Sequence, residues 1–248
     1  SSQRRPARSR AAMIGRPVAE PRTLSPGSGT LRPIGVANLP CATFLIALCY
    51  QNNSTPETAM TRLAPLEAPF PAAAAAVLEH LRFGRDTPLA LFRTLAHNPR
   101  VLDRIRKGGM LDRGSLSLRQ RELMILRTCA RCGAEYEWGV HVQIFAPHTA
   151  MDGAQIAATV HGAADDPLWA ADEKLIVALA DALHATARID DALYRDLQAA
   201  FGAEQIVELV ALAGFYHLIS FAVGAFAIGN ESGAPGFPPA QAAAHGPR

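Results

Sequence analysis

From Met60 onward, breakers fall at regular intervals along this chain, and between them apolar residues recur at helical spacing without any convincing run of alternating strand residues. That pattern restricts the fold to an all-α bundle. APFPAAAAAVLEHL and DTPLALFRTLAHNPRVLDRIRK predict short helices, with Thr87 before Pro88 and Asn98 before Pro99 each resembling an N-cap followed by an N1 proline. In SLSLRQRELMILRTCA the apolar positions Leu118, Leu123, Leu126 and Cys129 predict a helix closed by Gly133. AEYEWGVHVQIFA follows and stops at Pro147, and MDGAQIAATV, DPLWAADEKLIVALADALHA and IDDALYRDLQAAF continue the series. The last helix is almost wholly apolar from Ile206 to Ile228. Glu208, His217, Ser220 and several small residues interrupt it, so it reads as a central helix buried in the bundle or against another subunit rather than as a membrane span. The sum is roughly eight helices.

The chain has 248 residues, 49% of them hydrophobic, enough for a sizeable core. Residues 1–59 differ: they are rich in Arg, Pro, Ser and Gly and have no period, so a disordered leader or a start-site artefact is expected there. The apolar patch CATFLIALCY at 41–50 is too short to span a bilayer and too far along the chain for a signal peptide. Residues 60–237 are expected to form one domain and 238–248 a flexible tail. The net charge of +2 conceals an asymmetry, because the first 59 residues hold seven arginines against Glu20 and Glu57. What remains is mildly acidic and has no basic stripe, which excludes nucleic acid as the partner. Four cysteines in two clusters fit a reducing compartment, hence the cytoplasm.

The stretch CARCGAEYEWGVH, starting at Cys129, contains two candidate chemistries. A dithiol reductant would use Cys129 and Cys132, one of them a thiolate of lowered pKa. A cofactor-free proton-transfer site needs instead a carboxylate and an imidazole in contact, and Glu137 and His141, at i and i+4, share one helix face. A zinc site built from Cys129, Cys132 and His141 lacks a fourth ligand, so no metal is expected.

RQRELMILRTCARCGAEYEWGVH, together with the downstream ALAGFYHLISFAVGAF, resembles the carboxymuconolactone decarboxylase family, which shares its helical fold with the AhpD-like alkylhydroperoxidases. The thiol branch of that superfamily carries E-x11-C-x2-C-x3-H. With His141 as the histidine, this pattern puts the glutamate at Glu122 but falls on Ala134 and Glu137 where cysteines belong, so the CxxC here is out of register. The resemblance implies a cofactor-independent enzyme acting on a small carboxylated lactone or oxo acid, with His141 as acid/base, Glu137 orienting it and Glu122 tuning it. It also implies a homo-oligomer, trimer or hexamer. Tyr136, Trp138 and His217 are candidate substrate-binding residues, and Arg127 or Arg131 a candidate clamp for a substrate carboxylate. Each has a structural alternative: Glu122 paired with Arg119 or Arg121, Glu137 and His141 as a structural pair, Tyr136, Trp138 and His217 as core. The rival activities are a thiol peroxidase or disulfide reductase using Cys129 and Cys132, and a helical oligomer that binds a ligand without turning it over.

Overall fold

The computed structural model describes residues 61–240. The expected leader of residues 1–59, with Cys41, Cys49 and the 41–50 patch, and positions 241–248 of the expected tail lie outside the described residues. Among those described there are nine α-helices and no strand: α1 (Ala72–Leu78), α2 (Ala90–Leu95), α3 (Pro99–Gly108), α4 (Leu118–Arg131), α5 (Glu135–Phe145), α6 (Gly153–His161), α7 (Ala171–Thr186), α8 (Asp191–Ala200) and α9 (Ala203–Phe226). The all-α expectation holds.

Local chemistry explains most of the boundaries. Ser117 caps α4 in a capping box with Gln120, Asp152 caps α6 in another with Gln155, and Asn98 accepts from the Val101 amide ahead of the N1 proline of α3. Gly133, at φ +66, supplies the left-handed residue that ends α4, which a side chain would strain. The Thr87–Pro88 expectation fails: α2 begins at Ala90, and its free amides are satisfied from a distance, Ala90 N–H by Glu231 at 2.6 Å and Leu91 N–H by the Tyr136 hydroxyl at 3.1 Å.

Helix α4 is the axis of the bundle. All residues from Arg121 to Cys129 are buried, because α5, α6, α7 and α9 pack around it on every side. Its buried run includes charged groups that find partners, Arg121 with Glu122 and Arg127 with Asp181, and the first of these pairs sets up the site described below. One apolar cluster lies among α4, α6, α7, α8 and α9, and a second among α1, α2, α3, α5 and α9, with Phe215 touching both.

Helix α9 is long and apolar enough to cross a membrane by length and composition. In the fold it buries one face, through Ile206, Leu209, Leu212, Tyr216, Ile219 and Val223, and packs on α2, α4, α5, α7 and α8. Its other face is apolar and uncovered, with Val207 and Phe221 each 69% exposed. Residues 231–238 lie along α5 and α6, held by Tyr136 donating to Glu231, Phe237 N–H donating to Glu135 at 2.7 Å, and a His161 contact to the Pro238 carbonyl. Gly139 permits this: a Cβ there would stand 2.2 Å from the Pro235 carbonyl oxygen.

Candidate active site

Glu122 on α4, Glu137 and His141 on α5 and Tyr216 on α9 meet in the interior, each at least nine-tenths buried. His141 Nδ1 lies 2.7 Å from Glu122 Oε2. The other oxygen of that carboxylate, Oε1, accepts two bonds from Arg121, at 3.0 and 2.8 Å, while Arg121 also donates to the Leu111 carbonyl and lies over the Phe145 ring. On the far side of the imidazole, Nε2 faces the Tyr216 hydroxyl at 3.1 Å and Glu137 Oε1 at 3.5 Å. Two cations and two carboxylates therefore share one buried volume with no net charge, an arrangement in which each charge is stabilised by its neighbours. Burial alone would push the His141 imidazole down in pKa; hydrogen bonds and charge from Glu122 and Glu137 outweigh it and raise His141 to about 9. At neutral pH it is the imidazolium, with Nδ1–H donated to Glu122 and Nε2–H directed at Tyr216 and Glu137. Burial, reinforced by the nearby carboxylates, pushes the Tyr216 phenol well up, so it stays neutral.

Glu137 and Tyr216 form part of the wall of a cavity of about 350 Å³ between α2, α3, α5 and α9, large enough for a small molecule. His141 stands one side chain behind that wall. The rest of the wall is apolar and aromatic, through Phe83, Phe92 and Phe215, apart from His80, Arg106 and Asp112. Arg106 gives one Nη to Asp103 at 3.0 Å, while its Nε is shielded from solvent and finds no acceptor among the described residues.

Set against the sequence, the three acidic and basic candidates do come together, but with two roles exchanged. Glu122 orients and charges His141, whereas Glu137 is the carboxylate that reaches the cavity. The candidate substrate-binding residues are elsewhere. Tyr136 donates its hydroxyl to Glu231 at 2.7 Å, and Trp138 donates its indole N–H to Thr159 at 2.9 Å beneath Phe237; both hold helices together. His217 points to α7, because adjacent helical positions diverge by about 100° and it is Tyr216 that faces inward. Arg127 is spent on Asp181 in a bidentate pair, both bonds 2.7 Å, and Arg131 leans on the same carboxylate at 3.5 Å, so neither reaches the cavity. Arg106 and Tyr216 are the cavity residues that sequence reasoning missed. Tyr216 lies inside ALAGFYHLISFAVGAF, but Arg106, in DRIRK, carries no signal beyond being a helix arginine.

The two thiols differ in placement. Cys129 is fully buried in the core, and its thiol is pushed well up by burial and by the carboxylate of Glu137. Cys132, at the C-cap of α4, contacts His184 Nδ1 at 3.6 Å, and burial pushes its thiol up as well.

Residues 97–182, from just before α3 into α7, match the carboxymuconolactone decarboxylase family. No curated protein matches the chain. Solved structures share its fold. An uncharacterized peroxidase-related protein from Silicibacter sp. TM1040 is 18% identical with a TM-score of 0.59, covering 74% of this chain and 97% of that one. The alkylhydroperoxidase AhpD core protein from Ralstonia eutropha JMP134 is 15% identical with a TM-score of 0.57, covering 68% and 93%. The debrominase Bmp8, in complex with 2,3,4-tribromopyrrole, is 14% identical with a TM-score of 0.56, covering 68% and 91%. At these identities the likeness is one of fold. Residues 97–182 thus carry the segment that the carboxymuconolactone decarboxylase family has, and the described residues share the helical fold of the AhpD-like structures.

Proposed function

We propose that this protein is a cofactor-independent, carboxymuconolactone-decarboxylase-like enzyme that moves a proton on a small carboxylated lactone or oxo acid. Members of the family are generally enzymes. The observation that carries the reading is the contact between a cavity-wall carboxylate, Glu137, and a buried imidazolium, His141, itself held charged by Glu122. In such a substrate the bond to the departing carboxylate breaks, CO2 leaves, and the electron pair passes into the conjugated lactone carbonyl. The carbon then needs a proton. The proton originates on the His141 imidazolium: Nε2–H passes to the ionised Glu137, which hands it to the carbon at the cavity wall, or Tyr216 gives up its hydroxyl proton there and takes the Nε2 proton in its place, leaving His141 neutral in either case. Arg106 is placed to hold a carboxylate that the substrate retains.

The test compares Glu137→Gln with a Cys129→Ser/Cys132→Ser double variant, each assayed with a lactone acid and with an organic hydroperoxide. Glu137→Gln should lose at least ~100-fold in lactone turnover, as removal of a positioned acid/base does. The cysteine variant should stay within a few-fold of the parent. A dead cysteine variant beside an active Glu137→Gln would make the protein a thiol oxidoreductase.

We also propose a homo-oligomer, in which the uncovered apolar stripe of α9, Val207, Val210, Leu218 and Phe221, is the surface that further copies cover.

A further inference from the structure

We propose that Cys132, His184 and His217, none of which lines the cavity, form a zinc-binding site where α4, α7 and α9 meet, with a fourth position open to water. It is a different set from the Cys129, Cys132 and His141 combination, from which no metal is expected, since it uses neither Cys129 nor His141. Three helices bring it together: Cys132 ends α4, His184 lies in the last turn of α7, and His217 sits midway along α9. The ligand atoms, Cys132 Sγ, His184 Nδ1 and one nitrogen of His217, lie within 4.8 Å of one another, and all three residues are partly exposed, so an ion can reach them from solvent.

The distances are those of a tetrahedral site. Two nitrogens on one tetrahedral zinc lie about 3.3 Å apart, and a nitrogen and a thiolate sulfur about 3.6 Å apart, given bonds of about 2.05 and 2.3 Å. Here His184 Nδ1 is 3.2 Å from His217 Nε2 and 3.6 Å from Cys132 Sγ. Closing the remaining edge moves the thiol by no more than about 1.2 Å.

The proton inventory points the same way. His217 Nδ1 donates to the Ala213 carbonyl at 2.7 Å, the backbone bond that commonly orients a metal-ligating imidazole, and this leaves Nε2 as a lone pair aimed into the cluster. Facing it is His184 Nδ1. Either His184 carries its proton there, or a cation sits between two lone pairs and the sulfur. One thiolate with two imidazoles is a donor set suited to zinc, and three protein ligands leave one coordination position for water. Asp181, one turn before His184, is held by Arg127 and supplies no fourth ligand.

The experiment uses the full chain, stripped with a chelator under reducing conditions and titrated with zinc against a chromophoric competitor, then with cobalt(II) as an optical reporter. The expected result is one tightly bound equivalent, and a cobalt spectrum with tetrahedral visible bands and a thiolate charge-transfer band in the near ultraviolet. Cys132→Ser should lose that band, and Cys132→Ser, His184→Ala and His217→Ala should each weaken zinc binding at least ~100-fold. Cys129→Ala should bind as the parent does. Helical circular dichroism of each variant, taken in chelator, shows whether it has folded; His217→Gln provides a second, milder removal of the same ligand. A parent chain that takes up no zinc, or a folded Cys132→Ser or His217→Gln that binds zinc as the parent does, overturns the proposal.

Discussion

Replacing Glu122 with Gln tests the central electrostatic argument without any substrate. An imidazole held at about 9 in the fold, against 6.5 in the unfolded chain, stabilises the protein by roughly 3 kcal/mol, at about 1.36 kcal/mol per tenfold step in proton affinity. Because the folded value is raised, that stability is fully present below pH 6.5 and is lost as pH climbs through about 9. In Glu122→Gln the 2.7 Å carboxylate contact is gone, Arg121 loses its counter-charge, and burial then dominates the imidazole and lowers its proton affinity. Breaking a buried charged set of this kind costs roughly 3–5 kcal/mol. At pH 6.5 the variant should therefore unfold with at least ~3 kcal/mol less free energy than the parent, and by pH 9 the gap should shrink by roughly 2 kcal/mol, as the parent loses a stabilisation the variant never had. Urea unfolding followed by circular dichroism at pH 6, 7, 8 and 9 measures the gap, and taking the difference between the two proteins cancels titrations common to both. NMR titration of the His141 ring reports the proton affinity directly. Parallel pH profiles for the two proteins, or a His141 resonance in the variant that still titrates near 9, would refute the reasoning.

Arg106→Ala should raise KM for a carboxylated substrate at least ~10-fold with a smaller effect on kcat, the loss expected when a charged hydrogen-bond donor is removed from a cavity, and Arg106→Lys should recover part of it; an unchanged KM would take Arg106 out of the site. Gly139→Ala drives a Cβ into the Pro235 carbonyl and should cost about 1–3 kcal/mol, with residues 231–238 becoming open to limited proteolysis; a parental melting temperature and digestion pattern would count against the docking of that segment. Light scattering at micromolar concentration should give a multiple of the 26.4 kDa chain mass, and Phe221→Glu, which puts a charge into the apolar stripe of α9, should shift it toward monomer; a monomeric parent would contradict assembly through this face.

The helices were legible in the sequence because what sets them is local. Spacing of apolar residues, the Asn98–Pro99 cap, the Ser117 box and the Gly133 stop each act within a turn or so of chain, and the structure has them in place. Glu137 and His141 were legible as a pair for the same reason, since i and i+4 share a helix face wherever the helix goes. Tertiary structure alone decided which carboxylate holds the imidazole. Glu122 is nineteen residues from His141 and reaches it only because α4 and α5 pack face to face, so the roles of the two glutamates could not be assigned from spacing. It also decided which way α9 turns, sending Tyr216 to the cavity and His217 toward α7, and it committed Arg127 to Asp181 while leaving Arg106 at the cavity wall. The start of α2 and the course of residues 231–238 belong with these. Glu231 satisfies the Ala90 amide from 141 residues away, and a hydrogen bond made across that span of chain leaves no mark on the residues beside it.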